Sequence, residues 1–148
     1  MVAIALIAIG FPALYAINSQ CLYVVNASRQ AFDCNQALQD RMEQFRNCTW
    51  AQVTDSSYVA GNIMNIAGKN SGSLKSITEV VTINAYPTAV NPPIQITRSN
   101  GTITVNSTNA AIASGNLVKI DITLSWTQGL GKKSRLEACS AIYGQNSR

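Results

Sequence analysis

The chain predicts an α+β fold in which one long N-terminal helix, apolar first and amphipathic after, packs on a C-terminal antiparallel sheet. Three observations carry this. The first seventeen residues, Met1 to Ile17, hold no charge and no polar side chain except the Tyr15 hydroxyl. Apolar residues then recur in steps of three and four from Ala27 to Phe45, and from Ile77 onward the repeat falls to two. Helices and strands place successive side chains with just these two periods.

The first segment, 1–26, fits neither of the commonest apolar N-termini. A cleaved secretory signal starts with positive charge, whereas the first basic residue here is Arg29. A membrane span needs about 20 apolar residues. The run is shorter than that, although Cys21 to Val25 resume it after Asn18, Ser19 and Gln20. Gly10 and Pro12 predict a kink, because proline removes one backbone hydrogen bond and crowds the preceding turn.

The second segment, 27–50, is the amphipathic half of the same helix. Ala27, Ala31, Cys34, Leu38, Met42 and Phe45 form one stripe, with Arg29, Asp33, Asp40, Arg41 and Glu43 on the rest of the turn. No glycine or proline interrupts it between Gln30 and Trp50. A helix from Met1 to about Asn47 extends roughly 70 Å at 1.5 Å per residue, more than a head of this size covers. Its first half therefore needs a membrane or other subunits.

Residues 51–148 form the head. Within it 54–76, TDSSYVAGNIMNIAGKNSGSLKS, has no sustained apolar period and reads as a surface loop, with Trp50 and Tyr58 as packing aromatics. The sheet spans 77–143. ITEVVTINAY is a β-branched strand stopped by Pro87, and IQIT and TITVNS flank Asn100 and Gly101, the preferred pair for a two-residue hairpin. LVKIDITLSW puts Val118, Ile120, Ile122, Leu124 and Trp126 on one buried face. A return strand from about Ser134 to Tyr143 is expected to turn Leu136, Ala138 and Ile142 the same way.

Composition narrows the chemistry. The 148 residues contain no histidine, which excludes His-based acid–base and nucleophilic sites and His-containing metal sites. There is no GxxxxGK[ST], GxGxxG or CxxC, and the seven carboxylates are scattered. No catalytic, cofactor or metal site is expected. The net charge of +4 is spread thinly except at Lys132, Lys133 and Arg135, sparser than a nucleic-acid footprint.

Three stretches carry a family resemblance. MVAIALIAIG is similar to the segment that follows the leader cleavage site of type IV pilins and type II secretion pseudopilins. ALQDRMEQFRNCTWAQV and VKIDITLSWTQGLGKKSRLEACSAIYG resemble the helix end and final hairpin of bacterial minor-pilin-like proteins. The resemblance implies a pilin-like fold and a structural, non-enzymatic role without cofactors. Subunits would wait in the inner membrane, and assembly machinery would bundle their helices with copies of themselves or other pilins into an extracellular pilus or periplasmic pseudopilus. On this basis Ala3, Ile4, Leu6, Ile7, Ile9, Phe11, Leu14, Tyr15 and Ile17 are the expected filament-core residues, with Gly10 and Pro12 at the kink. The family has a basic leader, an N-methylated first residue and a glutamate a few places on. The resemblance aligns best with such an acid preceding Met1; with Met1 as the mature terminus, Ala5 would stand in its place.

Cys21, Cys34 and Cys48 lie on one predicted helix, too far apart for a disulfide within it. Cys139 is left as the intrachain partner, with Cys48 at the helix end expected either to pair with it or to remain a buried thiol. Two other functions stay open: a membrane-anchored extracytoplasmic binding module using the 54–76 loop or the sheet's outer face, and a DNA-binding minor pilin using Lys132, Lys133 and Arg135.

Overall fold

The computed structural model describes residues 2–68, 74–128 and 134–145, apart from the side chains of residues 2–9 and 75. The architecture is the expected α+β one. A helix, α1 (Val2–Arg46), lies against an antiparallel sheet of five strands: β1 (Lys75–Ala85), β2 (Ile94–Ser99), β3 (Thr102–Ser107), β4 (Leu117–Thr127) and β5 (Ser134–Gly144). Their order across the sheet is β3-β2-β1-β4-β5. The chain therefore returns from the β2-β3 hairpin to the other side of β1.

Local sequence accounts for most element ends. β1 stops just before Tyr86 and Pro87. Asn100 and Gly101 both take positive φ, 48° and 88°, the conformation that joins two twisted strands through two residues. Helix α1 runs through Gly10 and Pro12 as one element.

The inner sheet face is built in rungs. Ile96, Val81, Ile122 and Cys139 form one, and Ile94, Ile83, Ile120 and Ala141 the next. α1 packs over the β4-β5 half of this face, burying Cys34, Ala37, Leu38 and Phe45. Burial of each large aliphatic side chain contributes on the order of 1.5–3 kcal/mol.

Four expectations need correction. The first is the 54–76 loop, which holds a short helix α3 (Ser56–Tyr58) running into a π-helical turn (Val59–Met64). The Asp55 side chain caps it by accepting from the Ser57 N–H at 2.9 Å. Val59, Ile63 and Met64 are buried and cover the β2-β3 half of the sheet, an apolar face hidden in a polar composition. Gly68 then passes over α1 so closely that an added Cβ would meet the Ala37 Cβ at 3.1 Å.

The second is the 27–50 boundary: the helix itself ends within a residue of the expected Asn47, but Trp50 belongs to a separate element. α1 stops at Arg46, and α2 (Trp50–Val53) begins afresh. Thr49 is extended, and its N–H donates to Gln52 Oε1 at 2.8 Å, one arm of a capping box.

The third is the face of β5. Register opposes Cys139 to Ile122 and Ala141 to Ile120, so odd-numbered residues point inward. Leu136 and Ile142 are exposed, at 63% and 56%. Directly opposed residues share a face, so a single-residue offset inverts the whole strand, and both faces of β5 carry enough apolar residues to mislead.

The fourth is Arg41, expected on the polar side of α1 and fully buried instead. Its Nε and Nη2 grip Glu79 at 2.6 and 3.0 Å. Nη1 reaches Gln44 Oε1 at 2.6 Å and the Ile63 carbonyl, and Nη2 reaches the Ile66 carbonyl at 2.8 Å. Glu79 is itself buried on the inner face of β1, opposite Arg98, whose Nη1 lies 3.9 Å from it.

Removing one partner of a buried pair strands the other charge. Glu79→Gln is expected to lower unfolding free energy by about 3–5 kcal/mol, with Arg98→Gln costing about 1 kcal/mol or less. Urea titration followed by tryptophan fluorescence checks both, and equal losses would contradict the assigned network.

Candidate functional site

The projecting half of α1 is the most unusual surface of the molecule. Every described side chain from Phe11 to Leu22 is exposed, including Phe11, Leu14, Tyr15 and Ile17 at 61–78%. Ala3, Ile4, Leu6, Ile7 and Ile9 lie on the same helix, with side chains outside the described set. Leu22, Val24 and Val25 continue the apolar exposure toward the head. Among the described residues no helix is long and apolar enough to cross a membrane. Asn18, Ser19 and Gln20 interrupt the run.

The head first takes hold of α1 at Tyr23. Its hydroxyl donates to Gln128 Oε1 at 3.0 Å, and that same oxygen accepts from Arg135 Nε at 3.2 Å. About two helical turns later, Trp126 Nε1 donates to Gln30 Oε1 at 3.4 Å. These contacts tie the ends of β4 and β5 to the helix where it leaves the sheet. Sequence reasoning placed Trp126 in the core but missed Tyr23 and Gln128. The available signal was one polar hydroxyl among apolar helix residues and one glutamine following a perfectly alternating strand.

At the opposite end of the head, Trp50 and Tyr143 stack with ring centroids 6.3 Å apart. Trp50 Nε1 donates to the Ala113 carbonyl at 3.0 Å, and the Tyr143 hydroxyl donates to the Cys48 carbonyl. Trp50 and Tyr58 both pack against the core. The aromatics lock α2 to β5 rather than forming an open platform.

Of the two arrangements expected for Cys48, the structure has the buried thiol. Cys48 and Cys139 are not joined, and the Cys48 thiol donates to the Gln44 carbonyl at 3.2 Å. Cys139 instead faces the helix turn of Asn35, Leu38 and Met42, within electrostatic reach of Cys34. Desolvation by burial, followed by Glu137, Cys139 and Glu79, pushes the Cys34 thiol up to about 12. Burial, then Asp121 and Glu79, raises Cys139 as well. Thiols held this way are poor nucleophiles.

Of the cationic group considered for DNA, Lys132 and Lys133 lie outside the described residues, and Arg135 is engaged with Gln128. Among the described residues there is no cluster of three or more metal-ligating side chains. Comparison with family models, with curated proteins and with solved structures returned no match.

The folded chain keeps the Cys34 proton up to about 12, while an unfolded thiol releases it near 9.0. The native state thus binds the extra proton, and this contribution is full below pH 9.0 and lost as pH rises toward about 12. Cys34→Ala is expected to flatten the fall in urea midpoint over that window relative to the parent chain. Alkylation with mass spectrometry is expected to modify the exposed Cys21 first and Cys34 last.

Proposed function

We propose that the chain is a structural subunit of a type IV pilus-like or pseudopilus filament, assembled by bundling of its N-terminal helices. The observation that carries this reading is the apolar half of α1 held beyond the sheet, with Phe11, Leu14, Tyr15 and Ile17 exposed. Leaving such surface in water costs about 25 cal/mol per Å². Helix-on-helix burial among copies removes that cost, and small residues such as Ala13 and Ala16 allow close approach. Before assembly, lipid of the bacterial inner membrane would cover the same surface. Afterwards the helices would line the core of a pilus or pseudopilus with the heads outside. The subunit catalyses nothing; its work is packing, and its partners are other pilins and the machinery that extracts it.

Electron microscopy of native material is expected to show thin filaments containing this chain. Ile17→Asp or Leu14→Asp places a charge in the bundle and is expected to abolish filaments, while near-UV circular dichroism of the head stays unchanged. A chain that remains monomeric and binds a soluble ligand through its head would overturn this function in favour of an anchored binding module.

A further inference from the structure

The neck, where α1 leaves the sheet, holds a cleft of about 240 Å³. Ala27, Gln30 and Ala31 form its helical wall; Gln128, Arg135 and Glu137 form the wall contributed by β4 and β5. The two alanines keep it open, since longer side chains would fill the space between helix and sheet.

Its polar groups are incompletely used. Gln128 is only 3% exposed. Two donors, the Tyr23 hydroxyl and Arg135 Nε, fix its carbonyl oxygen. The amide orientation is therefore set, and Nε2 is left buried with no partner among the described residues. Buried donors are nearly always satisfied, so an orphan in the wall of a cleft marks a place for an acceptor. Arg135 spends Nε on Gln128, and the forked end of its guanidinium makes no hydrogen bond among the described residues. Planar guanidinium forks suit phosphate and carboxylate oxygens. Glu137 supplies the opposite charge in the same cleft. The cleft therefore offers donors to an anion and a carboxylate to a hydrogen-bonding cation.

An exposed, largely apolar helix face adjoins it, formed by Ile17, Gln20, Cys21, Val24 and Val25. Gln20, Val24, Ala27 and Ala31 follow one another in steps of four, three and four, so this face runs on into the cleft. The combination suits an amphiphile whose zwitterionic head enters the cleft and whose chain lies along the helix face.

We infer that the neck binds a glycerophospholipid whose headgroup carries a phosphate and a primary ammonium, that is, a phosphatidylethanolamine. The phosphate meets Gln128 Nε2 and the Arg135 fork, and the ammonium donates to Glu137. A choline headgroup offers Glu137 no N–H, and a glycerol headgroup offers it no charge. This inference rests on the proposed function only in placing the neck at a membrane surface before assembly.

The test uses the full chain in non-ionic detergent micelles doped with phosphatidylethanolamine, phosphatidylcholine or phosphatidylglycerol at equal mole fraction, with retained lipid counted by native mass spectrometry. Phosphatidylethanolamine is expected to be retained roughly tenfold over the other two, the factor one charge-assisted hydrogen bond supplies. Glu137→Gln is expected to erase its advantage over phosphatidylcholine, and Arg135→Gln to weaken all three. Ala27→Leu, which fills the cleft from the helix side, is expected to remove selective retention with circular dichroism unchanged. Equal retention of phosphatidylethanolamine and phosphatidylcholine by the parent chain, or a preference surviving Glu137→Gln, overturns the site. Free phosphoethanolamine competing as well as the lipid assigns the cleft to a soluble compound and overturns the lipid. Filaments forming without lipid preference would sink only this inference, and lipid preference without filaments only the filament function.

Discussion

The guanidinium of Arg41 reaches four groups at once: Glu79 on β1, Gln44 on its own helix, and the carbonyls of Ile63 in the π-helical turn and Ile66 just past it. Those carbonyls belong to a helix end, where backbone acceptors lack partners of their own. A charged donor buried in the middle of the fold satisfies them. Burying an ion pair contributes little net stability, because desolvation offsets most of the attraction. What it penalises is every arrangement in which the five hydrogen-bond donors of the arginine lose their acceptors. The rotation of α1 about its axis is thereby set. With Arg41 aimed at Glu79, Cys34, Leu38 and Phe45 must turn onto the sheet.

That constraint reaches well beyond the core. Once the rotation of α1 is set, so is the direction in which its first half leaves the head, and so are the residues that meet at the neck. Tyr23, Ala27 and Gln30 lie about three to five turns before Arg41 on a rigid element. Their alignment with Gln128, Trp126 and Glu137 follows from a contact that none of them makes.

Much of this fold was legible in the residues. The stripe from Ala27 to Phe45, the Asn100-Gly101 hairpin and the alternation from Val118 to Trp126 each appear where periodicity placed them, because each is dictated by local pattern. The failures share a different cause. The inward face of β5 depends on register across a turn, which Leu136, Ala138 and Ile142 could not reveal. Val59, Ile63 and Met64 cover the sheet from a segment whose average composition is polar, so burial was carried by three residues and diluted by their neighbours. Arg41 and Glu79 look individually like solvated surface. Only the knowledge that odd positions of β1 point inward makes a carboxylate at 79 demand a buried cation. The apolar half of α1 was plain from its first seventeen residues, whereas the neck needed Gln128 and Tyr23, distant in the chain and brought together only by packing.

The exposed half of α1 has a thermodynamic consequence of its own. From Phe11 to Leu22 no described side chain is buried, so this stretch has little beyond its own backbone hydrogen bonds to hold it helical. Isolated helices of such length are marginal in water, and Pro12 removes one of those bonds. Whatever covers the segment therefore also orders it. Any association that buried the segment would then be coupled to its helix content by mass action, each stabilising the other.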